Sequence, residues 1–327
     1  MWFYANKYEQ FEMKKKLQHL ARYTKRQFNL NVLHRLDTQF STPAVIEHPP
    51  VFIIGAPRCG STLLSQLLVH SLDVGYFSNL HAQLYGSPTL ANHLRILCPL
   101  RYRSDFESHH GVTKGLDAPS ENAEYWYRFF RRKPAYVPLA EMPAAAGEAF
   151  RRSMMRFVAQ AQRPVIIKNL YAVLRLEVLM HFLPTARFIV LRRNVFDNAV
   201  SLLAGRLKEF GTYERWWSVE PPNFESFQSE PPEIQVVKQI EAVHQLIDIA
   251  VNTSGCEGRF LHLNYEDLCE SPRLILESVQ NFIPDCQIRE NAITQIPVRF
   301  ARRQAEKDEL PIYTRLNQYL QGLQFRT

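Results

Sequence analysis

The sequence lacks the cysteine spacings that mark disulfide-rich domains and structural zinc sites. Its cysteines are odd in number, widely separated and free of Cys-x-x-Cys pairs; they are Cys59, Cys98, Cys256, Cys269 and Cys286. The pattern therefore indicates neither a disulfide framework nor a zinc site, and it favours a reducing compartment.

Long apolar segments are also missing. Residues 1–30 contain no apolar run of roughly 7–15 residues, which a secretory signal peptide needs, and no later stretch approaches the ~20 apolar residues of a membrane-spanning helix. The sequence also has no internal repeat and no low-complexity tract. We therefore expect a cytoplasmic globular protein.

Positive charge is in modest excess. The 327-residue chain has 39 Lys and Arg against 32 Asp and Glu, a formal net charge of +7, and 46% of its residues are hydrophobic. This content is ample for one domain, residues 1–327, and the surplus suits an anionic ligand or surface; we expect no nucleic-acid partner. Residues 1–45 are basic and amphipathic, which favours a helix packed on the domain, with a peripheral membrane helix as the alternative. The oligomeric state stays open.

Strand-like and helix-like segments alternate from residue 51 onward. Short apolar runs rich in β-branched residues predict strands at residues 51–54, 165–168, 187–191 and 259–263. Helical periodicity follows each run. Strands that are apolar on both faces and joined by helices predict an α/β fold, with a parallel sheet, flanking helices and right-handed crossovers.

Two segments interrupt this alternation. Residues 73–164 are rich in aromatic, His and Arg residues. We predict that they form an insertion over the carboxyl ends of the strands, where open α/β sheets bind ligands. Residues 211–233 are rich in Pro and aromatic residues, which fits a lid and an ordinary surface loop equally well.

The segment GAPRCGST, residues 55–62, has the glycine spacing of a phosphate-binding loop but not its lysine. A nucleotide-binding P-loop places Lys directly after its second glycine, whereas Ser61 follows Gly60 here and Arg58 supplies a cation from inside the loop. A glycine-rich turn between a strand and a helix presents backbone N–H groups to an anion. The sequence therefore predicts a P-loop-like anion site.

Further cations stand where other strands end. Lys168 closes one predicted strand and Arg192 and Arg193 follow another, while no acidic residue stands there to hold Mg²⁺. We therefore expect a donor whose charge is neutralised by side chains and not by a metal. Sulfuryl transfer fits, because a sulfuryl group carries less negative charge than a phosphoryl group. Some phosphate-handling enzymes also rely on arginine, so a phosphoryl donor stays open.

Three ordered segments resemble the sulfotransferases that use 3′-phosphoadenosine 5′-phosphosulfate (PAPS). The first, FIIGAPRCGSTLL, resembles their 5′-phosphosulfate-binding loop. The positions that fall on the family pattern are Arg58, Gly60, Ser61 and Thr62, and Cys59 replaces the usual Ser. This replacement removes one hydroxyl and leaves the backbone cradle intact.

The other two segments lie on later strands. RFIVLRRNVFDNAVSLL resembles the family's 3′-phosphate-binding motif, with Arg193 and Ser201 at the matching positions. FLHLNYEDLCESPRLIL resembles a segment in which a tyrosine, here Tyr265, lies beside the nucleotide. The basic run at residues 299–310 loosely matches a loop over the 3′-phosphate, which makes Arg302 or Arg303 a weaker candidate.

The resemblance implies a metal-free enzyme that moves a sulfuryl group from PAPS to a hydroxyl, or less readily an amine, and releases 3′-phosphoadenosine 5′-phosphate (PAP). The acceptor class is not determined; a glycan, a lipid-linked group and a small alcohol all fit. By resemblance, Arg58 would stabilise the leaving phosphate oxygen and Lys168 would lie near the transferring group.

The general base is not determined by the resemblance. Small-molecule sulfotransferases carry Lys-Thr-His on the second strand, whereas this chain reads Lys-Asn-Leu at residues 168–170, and leucine accepts no proton. One candidate is His81, which follows Arg58 by just over twenty residues, near the position of a Glu base in protein-tyrosine and heparan sulfotransferases. The others are Glu121 and His110, with His109 beside it. Glu121 has a rival role, because Ser120 reads as a helix N-cap and a carboxylate in the first turn favours the helix dipole.

Two other functions stay open. A P-loop kinase-like transferase would share the glycine loop, but this sequence lacks the lysine and the Mg²⁺ ligand that such an enzyme needs. A noncatalytic nucleotide-binding module would keep the cradle without needing a base. Separate replacement of His81, Glu121 and His110 distinguishes an enzyme, which loses turnover at one of them, from a module that is indifferent to all three.

Overall fold

A parallel sheet forms the centre of the molecule. The computed structural model describes residues 2–45, 47–98, 102–107, 113–255, 257–302 and 311–324. The strands in these ranges are β1 (Pro50–Ile54), β2 (Gly75–Tyr76), β3 (Val165–Lys168), β4 (Arg187–Arg192) and β5 (Phe260–Asn264). Their order is β2-β3-β1-β4-β5 and each pairing is parallel, which confirms the predicted α/β fold.

Helices surround this sheet. The α-helices of the described ranges are α1 (Trp2–Gln27), α2 (His34–Gln39), α3 (Ser61–Ser71), α4 (Asn79–Gln83), α5 (Pro88–Leu97), α6 (Ala123–Trp126), α7 (Ala144–Ala161), α8 (Leu176–Phe182), α9 (Val195–Phe210), α10 (Pro232–Ser254), α11 (Tyr265–Glu270), α12 (Pro272–Phe282), α13 (Glu290–Ile293) and α14 (Pro311–Gln324). Shorter 3₁₀ turns lie at Leu139–Glu141, Leu170–Arg175, Phe224–Phe227 and Glu257–Arg259, and a π-helical segment, Phe28–Leu33, joins α1 to α2.

Both faces of the sheet are covered. Phe52 and Ile54 of β1 pack into a core that includes residues of α7, α8, α9 and α10. Val51 and Ile53 pack into a second core with residues of α3 and α12. Because alternate residues of a strand point to opposite faces, a strand covered on both sides has to be apolar throughout, as β1 is.

The sheet order positions the glycine loop. β1 lies between β3 and β4, with Ile53 aligned to Lys168 and Ile54 aligned to Val190. The loop after β1 therefore has the end of β3 on one side and the end of β4 on the other. Parallel strands all end at the same edge of the sheet, and this brings together cations that are distant in sequence.

The predicted insertion at residues 73–164 needs revision. Its last part is α7, an 18-residue helix of the connection from β2 to β3, and Phe150, Met154 and Phe157 of α7 are buried in the main core. Their spacing places them on one helical face, and this face packs on the domain. β2, at the start of the range, is a strand of the sheet, so only the segment between β2 and α7 remains as a covering segment.

The N-terminal region is attached through a buried carboxylate. Asp37 of α2 is fully buried; its carboxylate accepts hydrogen bonds from Ser87 Oγ at 3.0 Å and from Arg156 Nη2 at 3.1 Å. Arg156 is itself 7% exposed. A buried charge pair of this kind holds its elements in one arrangement, because separating the partners leaves a buried charge unpaired.

We expect Asp37→Ala to lower the free energy of unfolding by about 3–5 kcal/mol, because it leaves the guanidinium of Arg156 buried without its partner. Urea denaturation followed by circular dichroism measures this. Glu277→Ala, at an exposed position on α12, is the matched control and should change stability by less than about 0.5 kcal/mol. Equal stability of the two variants would show that the pair does not hold the N-terminal region.

Candidate active site

The loop between β1 and α3 is shaped for an anion. Gly60 has a φ of 99° and directly precedes α3, and a Cβ added there would lie 2.3 Å from the ring of Tyr265. Arg58 also has a positive φ, of 67°. Only glycine combines this φ with so close a ring, so the sequence requirement at residue 60 is steric. The loop thereby presents the N-terminus of α3 to the space above it.

A cavity of about 360 Å³ lies above this loop. It is large enough for part of a nucleotide or a small acceptor. The predicted site residues that line it are Arg58, Gly60, Ser61, Thr62, Glu121, Lys168, Arg193, Ser201 and Tyr265. The structure therefore brings together residues from the three segments that the sequence analysis singled out.

Two arginines and a serine meet at one side of the cavity. Arg58 Nε donates a hydrogen bond to Ser201 Oγ at 3.1 Å, and Arg193 Nη1 donates to the backbone carbonyl of Arg58 at 3.0 Å. The Arg193 guanidinium also lies 4.6 Å from the ring centroid of Tyr265. These contacts orient both guanidinium groups before any ligand binds, which lowers the cost of ordering them around an anion.

A lysine and a glutamate meet at the other side. Lys168 Nζ donates to Thr62 Oγ1 at 3.1 Å and also to Glu121 Oε1. The second carboxylate oxygen of Glu121 accepts the backbone N–H of Leu170 at 3.2 Å. Lys168 is largely buried, whereas the Glu121 side chain is 29% exposed. The carboxylate is thus held in place and still reachable from the cavity.

Glu121 does not have the helix-capping role considered from sequence. The residue that precedes α6 is Asn122, which has a φ of 48°, and Ser120 Oγ accepts the N–H of Asn122 at 3.2 Å without capping the helix. The backbone carbonyl of Glu121 accepts from Asn169 Nδ2 and Trp126 Nε1. The rival reading, with Ser120 as the N-cap and Glu121 in the first turn of the helix, is therefore wrong, and the Glu121 carboxylate turns toward Lys168.

His81 lies away from the cavity. It is fully buried, its Nδ1 accepts the N–H of Ser78 at 3.1 Å, and its ring packs against Phe77 and Phe157. Burial, with a smaller contribution from the charge of Arg95, holds the pKa of this imidazole well below 6.5. A neutral, buried ring that packs in the core has no access to an acceptor. His81 therefore has a structural role and is not positioned to act as the base.

The remaining candidates divide into three groups. Cys59 is fully buried in the core beneath the loop and does not line the cavity, and burial raises the pKa of its thiol. Arg302 forms an ion pair with Glu266 at 3.4 Å. The candidates outside the described residues are His109, His110 and Arg303.

Three aromatic residues of the cavity wall were not predicted individually. Trp217 comes from the segment 211–233, and its ring lies 5.9 Å from the Arg58 guanidinium carbon. Phe106 and Phe300 line the cavity from two distant segments, with ring centroids 5.1 Å apart. The aromatic content of the two segments flagged above was the available signal for Trp217 and Phe106. Phe300 lies in the basic run at residues 299–310, which the sequence analysis singled out for its arginines and not for this ring.

The chain is similar to known proteins over most of its length. A family model described as "Sulfotransferase family" matches residues 49–284. Curated relatives include the omega-hydroxy-beta-dihydromenaquinone-9 sulfotransferases Stf3 of Mycobacterium bovis and Mycobacterium tuberculosis. Each is 26% identical over 257 residues, which cover 70% of this chain and 61% of the relative. The chain thus spans less than two thirds of the length of these relatives.

Solved structures of similar fold include two mycobacterial proteins. Sulfotransferase STF9 from Mycobacterium avium has a TM-score of 0.51 at 15% identity, covering 89% of this chain and 72% of its own. Sulfotransferase STF1 from Mycobacterium tuberculosis has a TM-score of 0.52 at 14% identity, covering 84% and 78%. At this identity the likeness concerns the fold.

Proposed function

The chain belongs to the sulfotransferase family, and from this premise we propose that it transfers a sulfuryl group from PAPS to a hydroxyl-bearing acceptor. One observation carries the proposal: Arg58, Lys168 and Arg193 line a single cavity above a glycine loop that opens onto a helix N-terminus. Three cations and oriented backbone N–H groups suit a donor with two anionic groups, because both the 5′-phosphosulfate and the 3′-phosphate can then be bound by positively charged or N–H donors.

The cavity residues fit PAPS on the grounds of their own chemistry. The start of α3, with Ser61 and Thr62, would hold the 5′-phosphosulfate, and the absence of a Cβ at Gly60 lets the Tyr265 ring pack against the loop. Arg193 and Ser201 would hold the 3′-phosphate. When bound, PAPS supplies the sulfuryl group and a phosphate leaving group.

We assign the stabilisation of developing charge to Arg58 and Lys168. Negative charge would accumulate on the leaving phosphate of PAPS as the bond between sulfur and the bridging oxygen breaks, and these two cations would meet it. Arg58 extends from within the loop and Lys168 from the neighbouring strand end, where its ammonium is hydrogen-bonded to Thr62 of the same loop. Fixed cations in a partly enclosed site stabilise such charge more than water does, since they need no reorganisation.

We assign the general base to Glu121. Among the described residues that line the cavity, the carboxylates are Glu107 and Glu121, and only the second is hydrogen-bonded to a cation beside the loop. The N–H of Leu170 orients its second oxygen. A base must reach the acceptor hydroxyl directly or through one water, and a 29% exposed carboxylate on the cavity wall meets that requirement.

The acceptor that we favour is a hydroxylated lipid. Phe106, Trp217 and Phe300 give the cavity an aromatic wall, which suits an apolar acceptor body with a hydroxyl at its end. The curated relatives are named for an omega-hydroxylated dihydromenaquinone, an acceptor of this kind.

Calorimetric titration with PAP in the presence of EDTA tests the proposal. We expect metal-free binding of PAP to the wild type, weaker binding of ADP, and a PAP Kd about 10–100-fold higher in Arg193→Ala, because a charged hydrogen bond to the 3′-phosphate is lost. Arg192→Ala is the matched control, since Arg192 pairs with Asp248 and does not line the cavity.

Preference for ATP with Mg²⁺ would support the kinase-like alternative instead. Absence of nucleotide binding would exclude both enzyme proposals.

A further inference from the structure

The first helix of the chain extends beyond the body of the protein. The side chains of residues 13–26 are all exposed, whereas Asn29, Leu33 and Asp37 further along are buried. We call residues 13–26 the N-terminal arm. An isolated helix of this length is only marginally stable in water, since helices in proteins gain most of their stability from packing. The arm therefore lacks, within the described protein, the packing that would stabilise it.

One face of the arm is apolar and exposed. Met13, Leu17, Leu20 and Tyr23 are between 58% and 61% exposed. Their spacing of four, three and three residues places them on one side of the helix. Exposed apolar side chains grouped on one face of a helix mark an interaction site.

This apolar face is turned away from the domain. Arg22, Arg26 and Asn29 are spaced by four and three residues and so share the opposite face of the helix. Asn29 is buried against the domain, where its Oδ1 accepts the N–H of Gly86 at 2.8 Å. The face that carries Arg22 and Arg26 is therefore the one that continues into the attachment, and the apolar stripe stays exposed beside the described residues of the domain.

The charge of the helix indicates what covers the stripe. Residues 2–27 include seven Lys or Arg and two Glu. A second copy of the chain paired through the stripe would bring two positive helices together, which is repulsive. An anionic bilayer is attractive, because it draws the net positive charge of the helix while the apolar side chains enter the interface. None of the helices in the described parts of the chain is long and apolar enough to cross a bilayer.

The arm is attached near the cavity. Lys25 Nζ donates to Gln83 Oε1 at 2.5 Å and Asn29 Nδ2 donates to the Gln83 carbonyl at 3.2 Å. Gln83 ends α4, which lies just beyond the carboxyl end of β2. The carbonyl of Phe77, at the start of that connection, accepts the N–H of Ser120, next to Glu121. Docking of the arm would thus hold the cavity side of the sheet close to the surface that binds the arm.

From these observations we infer that the N-terminal arm docks the protein on the surface of an anionic lipid bilayer, with its apolar stripe in the interface. The stripe, its orientation away from the domain and the positive charge of the helix each support this. Its consequence, delivery of a bilayer-resident hydroxyl acceptor to the cavity, rests on the proposed function; the docking itself does not.

Vesicle cosedimentation tests the inference. The full chain is mixed with phosphatidylcholine vesicles in which about one lipid in three is phosphatidylglycerol, and separately with pure phosphatidylcholine vesicles. We expect binding to the anionic vesicles to be at least about 10-fold stronger and to weaken with salt. The double variant Leu17→Glu, Leu20→Glu should bind at least about 10-fold more weakly than the wild type.

Two controls keep the result interpretable. Leu274→Glu places the same charge on an equally exposed leucine, 61% exposed, on α12, which covers the other face of the sheet, and it should bind like the wild type. PAP affinity of the double variant should equal that of the wild type, which separates loss of docking from loss of folding or of the nucleotide site.

Three outcomes would overturn the inference. They are no binding of the wild type to anionic vesicles, equal binding of the wild type and the double variant, and a wild-type dimer that the double variant converts to a monomer. The last result, from sedimentation equilibrium, would assign the stripe to self-association.

Discussion

Glu121→Gln is expected to lower kcat by about 10²–10⁴-fold while leaving the PAP Kd within about twofold of the wild-type value. The amide keeps the size of the side chain and a carbonyl oxygen for the Lys168 ammonium, but it no longer accepts the acceptor's proton. Transfer of radiolabelled sulfate from PAPS to hydroxylated lipids, including an omega-hydroxylated dihydromenaquinone, measures kcat on the acceptor that the wild type uses best.

Glu107→Gln is the matched control for this change. Glu107 lines the same cavity, but its side chain is exposed, and the contact that it makes with Gln66 uses its backbone carbonyl. We expect its kcat to stay within about threefold of the wild type. If Glu121→Gln retained wild-type kcat, the base would have to be sought among residues outside the described ranges, such as His110.

Arg58→Ala is expected to lower kcat/KM by about 10²–10³-fold, the usual cost of losing a group that stabilises charge in the transition state. The substitution removes the guanidinium from the loop and with it the hydrogen bond to Ser201. The same sulfate-transfer assay measures this, with PAP titration beside it to separate binding from turnover.

Arg58→Lys refines the test of this arginine. Lysine keeps the positive charge but not the planar guanidinium, so it should recover part of the rate and not all of it. Arg192→Ala again serves as the control that removes a nearby cation from outside the cavity. A similar loss in Arg192→Ala and Arg58→Ala would mean that overall charge matters and that Arg58 has no specific position in the reaction.

Prediction of the sheet from sequence depended on how much local signal each strand carried. Residues 165–168 were predicted with the bounds of β3, and residues 51–54 lie within one residue of β1. Both strands are buried on two faces, so the whole run is apolar and easily seen. β2 is only two residues long and too short for a periodic pattern. It is held in the sheet by pairing with β3.

Two long helices were missed for a different reason. α7 and α10 have buried stripes, but each also carries charged residues among its apolar ones, as in Arg151 and Arg152 of α7 and Lys238 of α10. Long side chains of this kind extend to solvent over an apolar surface, which blurs the pattern in the sequence. In the structure, the buried faces of α7 and α10 are evident from the residues that they pack against, which the sequence does not show.

The sequence by itself determined the α/β class and the anion-binding loop, because both depend on neighbouring residues: apolar runs that form strands, and glycines that permit a turn before a helix. Only the tertiary structure decided that Glu121 meets Lys168, that His81 belongs to the core and that the apolar stripe of α1 stays exposed among the described residues. These facts depend on contacts between residues far apart in the chain. Such contacts are set by how the strands are ordered and how the helices pack, which no local pattern records.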